Sequence, residues 1–119
     1  MARTFAAFRA FLIVLAATLT SVAVQAQDYP NRPTGPIYDG ADMLSAETEA
    51  ALDARLRDYN RGTGRAIIVA TVPDLGGSPI EPYATGLFAE WGIGGAERDQ
   101  GLLLLISRDD RRMRIEIGY

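Results

Sequence analysis

The 119-residue chain has no cysteine and no histidine, and every one of its 12 basic residues is arginine. Without a thiol or an imidazole it has no cysteine nucleophile, no Ser-His-Asp triad and no soft-ligand zinc site. Without lysine it has no Walker A loop, because no ammonium is available for the phosphates. Carboxylates, hydroxyls, guanidinium groups and the backbone are the chemistry that remains. With no disulfide to draw on, stability rests on packing, helped at most by a bound ion.

A nucleic-acid-binding charge is also lacking. The formal net charge is −3, and a basic surface is what a polyphosphate partner requires. The N-terminus, "MARTFAAFRAFLIVLAATLTSVAVQAQDYP", has Arg3 and Arg9 ahead of an apolar run from Ala10 to Val24 and small residues at Val24 and Ala26. This is the pattern of a secretory signal peptide over residues 1–26, cleaved after Ala26. The run is shorter than the ~18–20 apolar residues of a spanning helix and contains Thr18, Thr20 and Ser21, which argues against an uncleaved anchor. Cleavage takes two arginines and no acid, so the formal charge moves from −3 to −5. A periplasmic or secreted location follows as the expectation.

Residues 27–36, "QDYPNRPTGP", are rich in proline and predict an extended leader. One α/β domain is expected over 37–119. Ser45 is placed to cap a helix from Ala46 to about Arg61, with Glu47 and Glu49 at its positive end and a glycine as its stop. Leu52, Leu56 and Tyr59 form its predicted buried stripe. "RAIIVATV", residues 65–72, is apolar and β-branched without alternation, as in a central parallel strand covered on both faces.

Ser78-Pro79-Ile80-Glu81 reads as a capping box opening a second helix, with Ser78 as the cap and Pro79 in the first helical position. Ile80, Tyr83, Ala84, Leu87, Phe88 and Trp91 recur at helical spacing and predict one buried face, while Pro82 removes a donor in the first turn. "GLLLLIS", residues 101–107, predicts a second parallel strand, dry on both faces and reached by a right-handed crossover. After a polar turn "RDDR", Met113, Ile115 and Ile117 alternate with Arg114 and Glu116, predicting an antiparallel edge strand with Arg114 and Glu116 on a wet face.

The expected fold is therefore a layered α/β sheet with two parallel central strands, an antiparallel edge strand and flanking helices, incomplete at the C-terminus. Further chain is expected after Tyr119 to cover the last strand. Without it, Met113, Ile115 and Ile117 should leave apolar surface and a strand edge prone to self-association.

Four segments in this order, "YPNRPTGPIYDGADMLS", "TGRAIIVATV", "IEPYATGLFAEWGIG" and "RDQGLLLLISRDDRRMRIEIGY", resemble the TPM domain family over nearly all of the chain after residue 26. The family's aspartate-asparagine-glycine before the leucine strand stands here as Asp99-Gln100-Gly101. The resemblance implies an exported domain that normally continues into further helices. It also implies a link to acid phosphatase activity, to divalent cations, or to the upkeep and assembly of membrane complexes.

Topology carries Asp39, Asp74 and Asp110 to the carboxyl edge of the parallel strands, where open α/β sheets bind ligands. These three are the candidate ligands for calcium or magnesium, a hard cation that takes oxygen donors. Asp99, at the opposite edge, is the alternative. Arg111, or Arg112 beside it, is the candidate clamp for an anion such as a phosphate ester, with two helix N-termini facing the same edge. Turn-forming roles compete for each aspartate. Two functions are thus in view: a cation-binding module for interaction or assembly at a membrane surface, and a metal-assisted acid phosphatase acting on phosphate monoesters. No nucleic-acid partner is expected.

Overall fold

A computed structural model describes residues 27–93 and 101–118. The expected signal segment and Asp99 lie outside the described residues. The elements are β1 (Ile37–Asp39), α1 (Ala46–Thr63), β2 (Ala66–Val72), α2 (Ile80–Glu90), β3 (Gly101–Ser107) and β4 (Arg112–Ile117). They build one four-stranded sheet in the order β1-β2-β3-β4. β1, β2 and β3 run parallel and β4 returns antiparallel to β3 through the Arg108–Arg111 turn.

The core forms on one face of this sheet. Strand residues of the same parity share a face, so Ile68, Ala70 and Val72 align with Leu103 and Leu105 beneath α2. The helix answers with Ile80, Tyr83, Ala84, Leu87 and Trp91, all buried, as their spacing predicts, while Phe88 is half-buried at the margin. The leader is extended and docked against α2. Trp91 Nε1–H donates to the Pro30 carbonyl at 2.8 Å, and the Tyr29 ring meets Tyr83 edge-on at 5.1 Å. Gly86 makes room for this contact, since a Cβ there would stand 1.8 Å from the Tyr29 hydroxyl.

Two helix starts behave differently. Ser45 caps α1 as expected, accepting from Thr48 N–H at 3.1 Å, and the helix ends at Gly64 in the left-handed conformation. At α2 the expected capping box does not form. Pro79 is the N-cap and makes no side-chain cap bond, while the Ser78 hydroxyl donates to the Pro79 carbonyl at 3.1 Å. That shift by one residue puts Pro82 at the third helical position, whose N–H has no intrahelical acceptor anyway, so its ring costs no hydrogen bond.

The opposite face of the sheet corrects three expectations. No residue of α1 is buried: Leu52 and Leu56 are half-buried and Tyr59 is 38% exposed, because the helix packs chiefly on β2 and shares its stripe with solvent. β3 is not dry on both faces, since burial alternates along it and Leu102, Leu104 and Ile106 are half-exposed. On β4 the face expected to be wet is the one that is partly covered, while the apolar residues leave the open surface expected of them. Arg114 and Glu116 lie on the α2 side and are half-buried, whereas Met113, Ile115 and Ile117 are 66%, 56% and 46% exposed. The register pairs Ile106 with Met113, Leu104 with Ile115 and Leu102 with Ile117, so these six side chains form one continuous apolar surface.

Candidate functional site at the carboxyl edge of the sheet

The parallel strands bring Asp39, Asp74 and Asp110 to one edge, as the topology requires. Asp39 ends β1, Asp74 lies two residues past β2, and Asp110 sits in the turn after β3. They do not gather as a ligand set, in which oxygens would converge at ~2.3–2.6 Å on one calcium ion.

Each carboxylate is occupied by hydrogen bonds from the loops and strand ends of this edge. Asp39 Oδ1 accepts from Met43 N–H at 2.9 Å and from the Thr71 hydroxyl, and its Oδ2 accepts from Leu44 N–H at 2.9 Å. Asp74 Oδ1 accepts from Gly76 N–H at 2.8 Å, a local turn of the kind aspartate favours. Asp110 Oδ2 accepts from Leu75 N–H at 2.9 Å and from the Ser107 hydroxyl at 2.7 Å. Among the described residues no three acidic side chains gather into a group fit to hold a metal ion. This donor set therefore does not fit the calcium or magnesium that the resemblance implies.

The hydrogen bonds leave an electrostatic mark on Asp39. Desolvation raises its pKa, but the bonds from Thr71, Met43 and Leu44 together outweigh it and hold the carboxyl below its ordinary value.

Positive charge at this edge comes from Arg108, which the sequence did not single out. Its Nε donates to Asp109 Oδ1 at 2.9 Å and its Nη1 to the Ala41 carbonyl at 2.9 Å. The hydrogen bond to Asp109, then that residue's charge, and then the charges of Asp42 and Asp74 favour its protonated form against desolvation. A guanidinium thus stands at the edge where a cation was expected, paired with Asp109 and within the field of Asp42 and Asp74. The only cue to Arg108 was its place as the first residue past β3. Arg111, the expected clamp, is exposed in the turn at φ 54°, and its backbone N–H donates to the Arg108 carbonyl.

Two hydroxyl–carboxylate pairs occur here, Ser107 with Asp110 and Thr71 with Asp39, the pairing that a base-activated nucleophile requires. Both hydroxyls are out of a substrate's reach: Ser107 is 1% exposed and Thr71 2%. Thr71 Oγ1 also accepts from Ala41 N–H at 3.1 Å, so it relays between the loop backbone and Asp39. The arrangement stitches loops together. The N-terminus of α2 opens beside it on a cleft of about 330 Å³ bordered by Glu81, Asp110 and Arg112.

The same fold is found in a solved structure. The chain is 35% identical to the N-terminal domain of a protein from P. gingivalis, solved by NMR in solution, with a TM-score of 0.66. The similarity covers 72% of this chain and 55% of that one, so the chain spans about half the length of this relative. A search of curated proteins finds no match. The TPM domain family matches residues 37–119, which is β1 through β4 with everything between. On this match, with the parallel sheet and its antiparallel edge strand, the chain belongs to the TPM domain family.

Proposed function

We propose that this TPM domain is an exported, non-catalytic module for interaction and assembly at a membrane surface. The observation that carries this reading is the use of the carboxyl edge. Asp39 and Asp110 accept hydrogen bonds from loop N–H groups, and their hydroxyl partners Thr71 and Ser107 are buried. A phosphatase with a side-chain nucleophile would need that hydroxyl open to substrate, and a metal-assisted one would need a converging ligand set to hold the ion that activates water, which the described acidic residues do not form. Export is supported by the charged start and apolar run of residues 1–26. Among the described residues no helix is long and apolar enough to cross a membrane.

Release of p-nitrophenol from p-nitrophenyl phosphate by the purified protein, with calcium, with magnesium and with chelator, tests the proposal. Release no faster than in buffer is expected in all three. Metal-dependent release that is lost in Asp110→Asn would establish the phosphatase reading in its place.

A further inference from the structure

At the other end of β2, away from the carboxyl edge, lies a cleft of about 320 Å³ between the leader, the C-terminal half of α1 and Ala66–Ile68. Arg32 from the leader and Arg57, Asn60 and Arg61 from α1 line it. The three arginines are brought together from two segments in a chain whose net charge is negative. Two have acidic neighbours: Arg57 Nε donates to Asp53 at 2.6 Å, and Arg61 pairs with Asp58. Arg32 donates one N–H to the Trp91 carbonyl. Each guanidinium has five N–H donors in a planar fork, so these contacts leave donors over for a further acceptor. Pro36, Leu56 and Ile67 supply an apolar wall beside them.

We propose that this cleft binds an acidic peptide segment, with a carboxylate on the arginines and a neighbouring apolar side chain against Pro36, Leu56 and Ile67. Guanidinium forks match carboxylate geometry and form charge-assisted, two-point hydrogen bonds. The apolar wall selects a ligand that carries hydrocarbon next to its charge, which inorganic phosphate does not. The proposal goes beyond the module reading by giving the chemistry of a partner. It concerns the amino end of β2, so its failure leaves the account of the carboxyl edge untouched.

The geometry supplies two ways to take the Arg57 fork out of the cleft, one at Arg57 itself and one from the leader. Arg57→Gln removes a fork. Gly35→Ala adds a Cβ that would stand 2.5 Å from Arg57 Nη2 and 3.0 Å from Asp53 Oδ2, the ends of side chains rather than backbone, so the guanidinium must move out of place. Arg55→Gln, on an exposed part of α1 outside the cleft, is the control of equal charge change.

The test is a backbone amide NMR titration of the full chain at constant ionic strength with acetyl-Leu-Glu, with acetyl-Leu-Gln-amide and with inorganic phosphate. Saturable shifts at Gly35, Asn60 and Ala66 are expected with acetyl-Leu-Glu and not with the amide. Arg57→Gln and Gly35→Ala should each weaken binding about tenfold, the change carried by one charge-assisted hydrogen bond of about 1.4 kcal/mol, with Arg55→Gln unchanged. The proposal is overturned by an absence of saturable shifts, by an equal loss in Arg55→Gln, or by phosphate binding more tightly than the acidic dipeptide.

Discussion

Leu75 and Asp110, 35 residues apart in sequence, are joined by a 2.9 Å hydrogen bond from the Leu75 N–H to the Asp110 carboxylate. The same oxygen accepts from Ser107, so one side chain ties the loop after β2 to the turn after β3. Replacing Asp110 with alanine strands a backbone N–H and a buried hydroxyl, at a cost of about 1–3 kcal/mol. Asp110→Asn keeps an acceptor and should cost less. Urea unfolding checks both. An Asp110→Ala midpoint equal to that of the unmodified protein would show that the tie does not hold the loops.

Asp39 gives a pH dependence whose sign follows from its lowered pKa. The folded carboxyl titrates below its ordinary value of 3.8, so its contribution is fully present above that value and is lost as pH falls through the folded pKa. The unmodified protein should lose stability to this group only in acid below about pH 4, at its ordinary carboxyl range. Asp39→Asn should be less stable at neutral pH and show a flatter fall between pH 5 and 2. Parallel stability curves for the two proteins would contradict the assignment.

The sequence shows much of this fold and little of its site. Ile80, Tyr83, Ala84, Leu87 and Trp91 are legible because a single helical period marks them and α2 buries that whole face. The exposure of Ile115 is legible from an alternating last strand with nothing placed to cover it, but the partial exposure of Leu104 is not: an apolar strand residue in an unbroken leucine run reads the same whether its face is covered or open. Ser78 has the right type for a cap, but Pro79 takes the cap position, a one-residue difference that composition does not resolve. Asp39, Asp74 and Asp110 reach the predicted edge because parallel strands fix which ends align. Where their oxygens point depends on loop backbone, and Arg108 enters the site through a contact to Ala41, 67 residues away.

The open face beyond β3 and β4 should make a chain of residues 1–119 self-associate. Met113, Ile115 and Ile117 lie exposed on an edge strand, where backbone donors and apolar side chains are offered together. Ile115→Lys places a charge in the middle of that surface and should shift sedimentation toward the monomer. Its folding stability should change by no more than about 0.5 kcal/mol, as for other surface substitutions. An unaltered oligomer distribution would place the association elsewhere.

Export predicts a defined mass. If residues 1–26 are removed on secretion, the intact mass of the exported protein corresponds to a chain starting at Gln27. A product that retains Met1–Ala26 contradicts the exported reading.

Asp39 and Asp110 hold loops and, with Asp74, do not gather around a cation. Thermal unfolding of the unmodified protein, Asp39→Asn and Asp110→Asn, each in calcium and in chelator, tests this most directly. The account predicts that both variants melt below the unmodified protein by the same margin in either condition, and that calcium leaves the unmodified protein's Tm where chelator does. A rise of several degrees in calcium, the size that ligand binding at 100-fold excess over Kd gives through about 2.7 kcal/mol, would contradict it if either substitution abolished that rise.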